Sequence, residues 1–223
     1  MILKNDKEDL EDFAYRYIIH MIVENQVKPG DAILETEMAD LLGISRTPVR
    51  QALGRLVTEG LLEKKRKKGC VIPLPRPEDA KQVFLAREIL EGQVAALAAA
   101  HASADDIAGL RLILDRESRA LASQDKDGYY LANEEFHFAL AKASGNIYFE
   151  RYCRHIFRRS SFYIFYFDSF YSRRQKEQRL PRQITPRQHA EILAAVERRD
   201  PATAEKLVRE HIQYSYNVLL GLK

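Results

Sequence analysis

The sequence predicts a mostly α protein with an N-terminal winged helix-turn-helix and a C-terminal all-α bundle of six or seven helices. In the first 75 residues, helical apolar spacing, a turn, two short helices joined by "LGIS" and a hairpin pattern follow one another. From about residue 80 onward every segment has a helical pattern, broken by Gly, Asp, Pro or Ser. We therefore expect a winged domain at 1–75, a linker at 76–79 and a helical domain at 80–223.

The first two helices are predicted from apolar spacing and from turn residues. The first should span Lys7 to Glu24, and Pro29-Gly30 should form the turn after it. A short helix should run from Thr36 to Leu42, with Thr36 as its N-cap and Gly43 as its stop.

The second helix of the helix-turn-helix should begin at "SRTP". Ser45 can accept a backbone N–H bond at the helix start, and Pro48 suits the first turn. Gly60 should end this helix. Its inward stripe should consist of Val49, Ala52, Leu53, Leu56 and Val57.

The segment "LLEKKRKKGCVIPL" predicts two short strands around a basic turn. Their apolar positions would be Leu61, Leu62, Val71 and Ile72. Further along, Thr185-Pro186 and Asp200-Pro201 each predict a helix start, because a capping side chain precedes a proline at the first helical position.

Charge is distributed unevenly, although the net charge is only +3. Met1 to Asp40 contains four Lys/Arg and ten Asp/Glu, a net of −6. Leu41 to Pro75 contains eight Lys/Arg and two Asp/Glu, a net of +6. A compact basic segment is typical of a surface that binds a phosphate backbone. A solvated charge run would look the same, and charge alone does not separate the two interpretations.

The second helix of the helix-turn-helix begins with residue types that contact DNA bases. Its N-terminal part would enter the major groove, with Ser45, Arg46, Thr47, Arg50 and Gln51 at that end. An arginine can match the O6 and N7 acceptors of guanine. Arg55 and the wing lysines, which include Lys67 and Lys68, would contact phosphates. The alternative is a small basic domain that binds protein.

Three histidines of the C-terminal half lie on apolar helical faces. They are His137, His189 and His211, and Asn133 precedes the first by one helical turn. A single inward histidine is usually a satisfied core polar group, but three on separate helices can converge on one ion. Neutral imidazoles suit Zn, Ni and similar divalent transition metals.

The run "LETEMADLLGISRTPVRQALGRLVTEGLLEKKRKKGCVIP" resembles the winged-helix domain of GntR-type transcription regulators. In that family, residues matching Arg46, Arg50, Arg55 and the wing Gly69 contact DNA. The resemblance implies a homodimer on a short palindromic double-stranded DNA operator.

The C-terminal half is similar to the FCD effector domain of the FadR-like branch of these regulators. The stretches "AREILEGQVAALAA", "NEEFHFALAKASGN" and "QHAEILAAVERRDPATAEKLVREHI" carry this resemblance. It implies a divalent metal, Zn or a similar ion, held by an acidic residue and three histidines that match His137, His189 and His211. Asn133 stands where an aspartate is common. Arg87 matches an arginine that helps to bind a small carboxylate effector; the alternative is a helix-surface arginine paired with Glu91 at i+4.

Other classes of protein find less support in the sequence. Cys70 and Cys153 match no metal or redox spacing and are interpreted as free thiols in a reducing compartment. No secretion signal or membrane-spanning run is evident, so we expect a cytoplasmic protein without membrane association. "HExxH" and "GxSxG" do not occur. A ligand-responsive repressor is favoured over a metal-dependent enzyme or a structural-zinc protein with a fused DNA-binding module.

Overall fold

A computed structural model of the protein describes residues 9–24, 26–66, 68–172 and 184–220. These residues divide into two compact units, one of residues 9–76 with 161–172, the other of residues 77–160 with 184–220. The helices and strands of the N-terminal segment are α1 (Leu10–Val23), β1 (Ala32–Ile33), α2 (Glu35–Leu42), α3 (Arg46–Thr58), β2 (Glu63–Lys65) and β3 (Gly69–Val71). Those that follow are α4 (Pro77–His101), α5 (Ala104–Ala122), α6 (Lys126–Ala143), α7 (Ile147–Ser172), α8 (Ile184–Glu197) and α9 (Pro201–Leu219).

The core of the first unit forms where α1 packs on α3. The apolar stripe that helical spacing predicts for α1 is buried at Phe13, Ala14, Ile18 and Ile22 and half-buried at Leu10, Tyr17 and Met21. The predicted stripe of α3 is buried except for the half-buried Val57. The side chains that fill this contact are Ala14, Ile18, Ile22, Val49, Ala52 and Leu56. Each large aliphatic side chain removed from water stabilises the unit by about 1.5–3 kcal/mol. The packing therefore determines which face of α3 remains outside.

The helix ends of the first unit agree only partly with the predicted caps. Gly43 ends α2 with φ 65°, the left-handed conformation that favours glycine, so the predicted stop is confirmed. Thr36 is not the N-cap: α2 begins at Glu35, and Leu34 occupies the cap position. Ser45 is at the N-cap of α3, but its side chain makes no capping hydrogen bond. In α2, which has no side-chain cap, the acidic Glu35 and Glu37 of the first turn stabilise the positive end of the helix dipole.

The wing contains one strand more than the sequence predicts. The order is β1-β3-β2 and both pairings are antiparallel, with Ile33 opposite Cys70 and Lys64 opposite Cys70. β1 has only two residues, which is too short for an alternating pattern to reveal. Leu61, Leu62 and Ile72 lie just outside the strands and are buried there.

The second unit is a helical bundle, as predicted, with six helices contributing among the described residues. α4 packs on α9, α6 and α8, while α5 packs on α6 and α8. Asp200 caps α9 by accepting from the backbone N–H of Thr203, which confirms that predicted helix start. α8 instead begins at Ile184, so Thr185 lies inside the helix rather than at its cap.

Within the described residues, no helix is both long enough and apolar enough to cross a bilayer.

Candidate nucleic-acid interface and metal centre

The outer face of α3 presents the residues that the sequence predicts to read DNA. The buried stripe turns the opposite side of the helix outward, so Ser45, Arg46, Thr47, Arg50 and Gln51 are exposed. The side chains of Arg46 and Arg50 are 62% and 66% exposed. No acidic residue lies in the first turn of α3. This end of the helix is therefore cationic and accessible.

One carboxylate of α2 holds both exposed arginines. Arg46 Nε donates to Glu35 Oε1 at 2.9 Å, and Arg50 Nε lies 3.4 Å from Glu35 Oε2. Glu35 therefore bridges two guanidinium groups that are one helical turn apart. Exposed ion pairs of this kind contribute little stability, so a phosphate or a base edge can replace them.

Arg55 has a more restrained environment than the other predicted DNA contacts. Its Nη1 donates to Asp12 Oδ1 at 2.8 Å, and its Nε lies 3.4 Å from Glu59 Oε1. The guanidinium carbon is also 4.1 Å from the centroid of the Tyr15 ring. These contacts tie Arg55 to α1, and its contact with a DNA phosphate stays a prediction.

The wing places further positive charge beside a tight backbone turn. Lys64, Lys65, Arg66 and Lys68 are exposed, whereas Lys67 lies outside the described residues. Gly69 has φ +74°, and a Cβ there would lie 3.3 Å from Leu34 Cδ2. A larger residue at Gly69 would therefore combine backbone strain with crowding.

The three predicted histidines converge in the second unit. His137 comes from α6, His189 from α8 and His211 from α9, and all three are buried. Their potential ligand atoms all lie within 4.8 Å of one another. Sequence spacing predicted the inward faces, and the packing of the three helices brings the rings together.

Each of these imidazoles is held through Nδ1 by an oxygen acceptor. His137 Nδ1 lies 2.6 Å from Glu91 Oε2, and His189 Nδ1 lies 3.0 Å from Glu117 Oε2. The third contact joins His211 Nδ1 to Gln188 Oε1 at 2.9 Å. An oxygen acceptor at Nδ1 favours the tautomer with hydrogen on Nδ1, and this leaves the Nε2 lone pair for a metal.

Arg87 lies inside the bundle and forms a buried ion pair. Its side chain is 2% exposed, and its Nε donates to Glu91 Oε1 at 2.6 Å. Nη1 donates to Ser160 Oγ at 2.9 Å, and the guanidinium carbon is 4.6 Å from the centroid of the Phe157 ring. The alternative prediction, a surface arginine paired with Glu91, is wrong about exposure because Arg87 is buried, and it is correct about the pairing. Binding of an effector by Arg87 stays a prediction.

Burial and neighbouring charge set the protonation of this cluster. Burial lowers the pKa of His137 to about 4, against the opposing effect of the Glu91 carboxylate. Burial also lowers the pKa of His211 well below its usual value. For Glu91, burial by itself raises the pKa, but Arg87 and His137 together hold it at about 2. His137 and His211 are therefore neutral near pH 7, the form that binds metals.

The donor set fits a divalent transition metal. His189 Nε2 is fully buried and has no hydrogen-bond partner among the described residues. An unmade hydrogen bond of this kind costs about 1–3 kcal/mol, and a metal on the nitrogen would remove that cost. Asn133 is half-buried on α6, four residues before His137. Its role as a fourth ligand stays a prediction.

Sequence reasoning missed the acceptors that orient the rings. Glu117 is 0% exposed and shares the buried face of α5 with Leu110, Ile113 and Ala120. An acidic residue at an apolar position of an amphipathic helix was the available signal. Gln188 directly precedes His189 in sequence and gave no such signal.

Comparison with known families agrees with both units. Residues 10–72 match the family described as bacterial regulatory proteins, gntR family, and residues 82–214 match the FCD domain. This chain belongs to the GntR family. Members of this family with an FCD domain are transcription regulators, so the predicted alternative of a metal-dependent enzyme is wrong.

Individual relatives of this GntR-family protein are also transcription regulators. An uncharacterized HTH-type transcriptional regulator of Agrobacterium vitis is 36% identical over 57% of this chain and 76% of its own length. The Nta operon transcriptional regulator of Aminobacter aminovorans is 36% identical over 56% of this chain and 60% of its own length. The solved structure of E. coli McbR/YncC is 21% identical, with a TM-score of 0.79 over 96% of this chain and 98% of that one. This structural match shows a shared fold.

Proposed function

We propose that this GntR-family protein is a repressor that binds a palindromic operator as a homodimer and releases it in response to a small organic acid. The acid would bind beside a divalent metal, Zn or a similar ion, held by His137, His189 and His211 with Asn133. Effector binding would favour one of two arrangements of the dimer and so change its operator affinity.

Support for DNA binding comes from the outer face of α3. Arg46 and Arg50 are exposed at the start of the helix, and among the described residues each forms an ion pair with the exchangeable carboxylate of Glu35 alone. Base contacts by these arginines would specify the operator, while Lys64, Lys65, Arg66 and Lys68 of the wing would contact phosphates.

Support for a metal pocket comes mainly from one observation: three buried imidazoles, each held through Nδ1, converge within 4.8 Å. The bound ion would supply a Lewis acid that attracts a carboxylate oxygen. The histidines would hold the ion, and Glu91, Glu117 and Gln188 would orient the histidines.

Two measurements on the purified protein test this proposal. Metal analysis should find about one divalent ion per chain. A thermal-shift screen of small carboxylates should then find a ligand that raises the melting temperature of the metal-loaded protein, because a ligand of the folded state stabilises it.

Titration of operator DNA then tests regulation. The stabilising acid should weaken operator binding, and this effect should disappear after chelation while the far-UV circular dichroism spectrum stays the same. Chelation that instead unfolds the protein would favour a structural-zinc site. A metal-loaded protein whose operator affinity responds to no acid would contradict the sensory role.

A further inference from the structure

The charges around the three histidines leave Glu117 in an unusual position. The ligand set of three neutral imidazoles and the amide of Asn133 carries no negative charge. A dication held by such a set in a buried site needs a counter-charge nearby, because burial removes the water that would otherwise solvate it.

Glu91 has a cation of its own. The Arg87 guanidinium donates to both carboxylate oxygens of Glu91, at 2.6 and 3.4 Å. Glu91 therefore orients His137, but its charge is already balanced by Arg87.

Glu117 has no such balance. Its side chain is fully buried, and its Oε2 accepts from His189 Nδ1–H at 3.0 Å. Within the described part of the chain, no lysine or arginine pairs with it. Its second oxygen, Oε1, is buried and lacks a hydrogen-bond partner there. The opposite ring nitrogen of His189, Nε2, is likewise buried without a partner. The hydrogen-bonded pair of Glu117 and His189 thus has a buried polar atom without a partner at each end, Glu117 Oε1 and His189 Nε2.

We infer that Glu117 supplies the negative charge of the metal site, acting through His189. A carboxylate that accepts from Nδ1–H makes the ring a stronger base at Nε2 and partly offsets the charge of the ion. Glu117 is therefore a positioning and charge-balancing residue and not a ligand. This inference rests on the proposed metal pocket.

The test is the affinity of the full-length protein for Zn²⁺, measured by competition with a chelator of known affinity at fixed pH. Glu117→Gln keeps the shape and an oxygen that can accept from His189, but removes the charge. We expect it to weaken Zn²⁺ binding about 10–100-fold. The Co²⁺ absorption spectrum should keep its shape, since the ligands themselves are unchanged.

A second variant adds charge where the site has none. Gln188 accepts from His211 as a neutral group, so Gln188→Glu should strengthen Zn²⁺ binding several-fold. The matched control is Glu191→Gln, which removes one charge from the exposed face of α8. It should leave Zn²⁺ affinity within about twofold of the unaltered protein.

The outcomes separate this inference from the proposed function. If the unaltered protein binds no Zn²⁺, both fall. If it binds Zn²⁺ and Glu117→Gln binds equally well, the metal pocket stands and the role of Glu117 is overturned. A changed Co²⁺ spectrum in Glu117→Gln would also overturn it, because the coordination itself would then depend on Glu117. Should Glu117→Gln fail to fold, an unchanged or weakened affinity in Gln188→Glu would overturn the inference.

Discussion

Glutamates hold cationic side chains in both units, but in opposite environments. In the first unit, Glu35 bridges Arg46 and Arg50, whose side chains are 62% and 66% exposed. In the second, Glu91 joins Arg87 to His137, and all three side chains are 5% exposed or less.

The environment determines what each contact can do. Exposed pairs are screened by water and salt and contribute about 0–1 kcal/mol, so a DNA phosphate can displace them. A buried pair that loses one partner leaves an uncompensated charge, at a cost of about 3–5 kcal/mol. The half-buried Glu35, whose arginine partners are exposed, therefore suits a surface that exchanges partners, whereas the buried Glu91 suits a site that must keep its geometry.

The largest expected effect comes from breaking the buried pair. Arg87→Met leaves the Glu91 carboxylate buried without its cation and should lower the free energy of unfolding by about 3–5 kcal/mol. Arg111→Met removes an exposed partner of Glu197 and should cost less than about 1 kcal/mol. Denaturant unfolding of both variants measures the difference, and equal losses would contradict the comparison.

Acid should weaken the metal-free protein through the same buried cluster. The pKa of His137 is about 4 in the folded protein and about 6.5 when unfolded. Between these values the unfolded state binds more protons, so stability falls as pH falls from about 6.5 to 4, by a few kcal/mol. Below about pH 4 this contribution is fully lost.

Thermal unfolding of the chelated protein at several pH values measures this dependence. His137→Gln should reduce the slope between pH 6.5 and 4 and leave the part contributed by His211, whose pKa is also lowered. The control is His155→Gln, at an exposed position of α7, which should keep the slope. If His137→Gln kept it as well, another group would be responsible.

Removing Arg46 or Arg50 from the outer face of α3 should weaken specific DNA binding. Arg46→Ala and Arg50→Ala should each cost about 1–3 kcal/mol on an operator selected by the unaltered protein from a random duplex library. The control is Arg187→Ala on α8, where the arginine side chain is 81% exposed. It should leave the affinity for the operator unchanged. Selective binding that survived loss of both α3 arginines would exclude α3 as the reading helix.

The smallest effect is expected at Glu35. Glu35→Gln removes a negative charge that lies against both reading arginines, so non-specific duplex affinity should rise a few-fold, by less than about 1 kcal/mol. Glu37→Gln removes the same charge from an exposed position of α2. Fluorescence anisotropy with an unrelated duplex compares the two. An equal rise in both variants would mean that only net charge matters.

Local pattern was enough to predict much of the fold. Apolar spacing placed α1 and α3, Gly43 ended α2, and Asp200 began α9. The caps predicted at Thr36 and Thr185 were wrong, and Ser45 occupies the N-cap of α3 without the predicted hydrogen bond. Several groups near a helix start can satisfy its polar atoms, so the sequence does not single out one cap. β1 was missed, because two residues carry no periodicity.

The candidate site was predicted only in part. The inward faces of His137, His189 and His211 follow from the residues around each of them. Glu117 was not recognised as their neighbour, although its place on the apolar face of α5 was visible in the sequence. Arg87 was paired correctly with Glu91, but its burial depends on helices far away along the chain.

The sequence by itself determined the order of the elements, the cationic segment and the faces on which three histidines lie, because these depend on residues within a few turns of one another. The tertiary structure alone decided which faces meet. Glu91 and His137 are 46 residues apart, and Glu117 and His189 are 72 apart. Helical periodicity states which way a side chain points, but only the packing of helices determines what it meets.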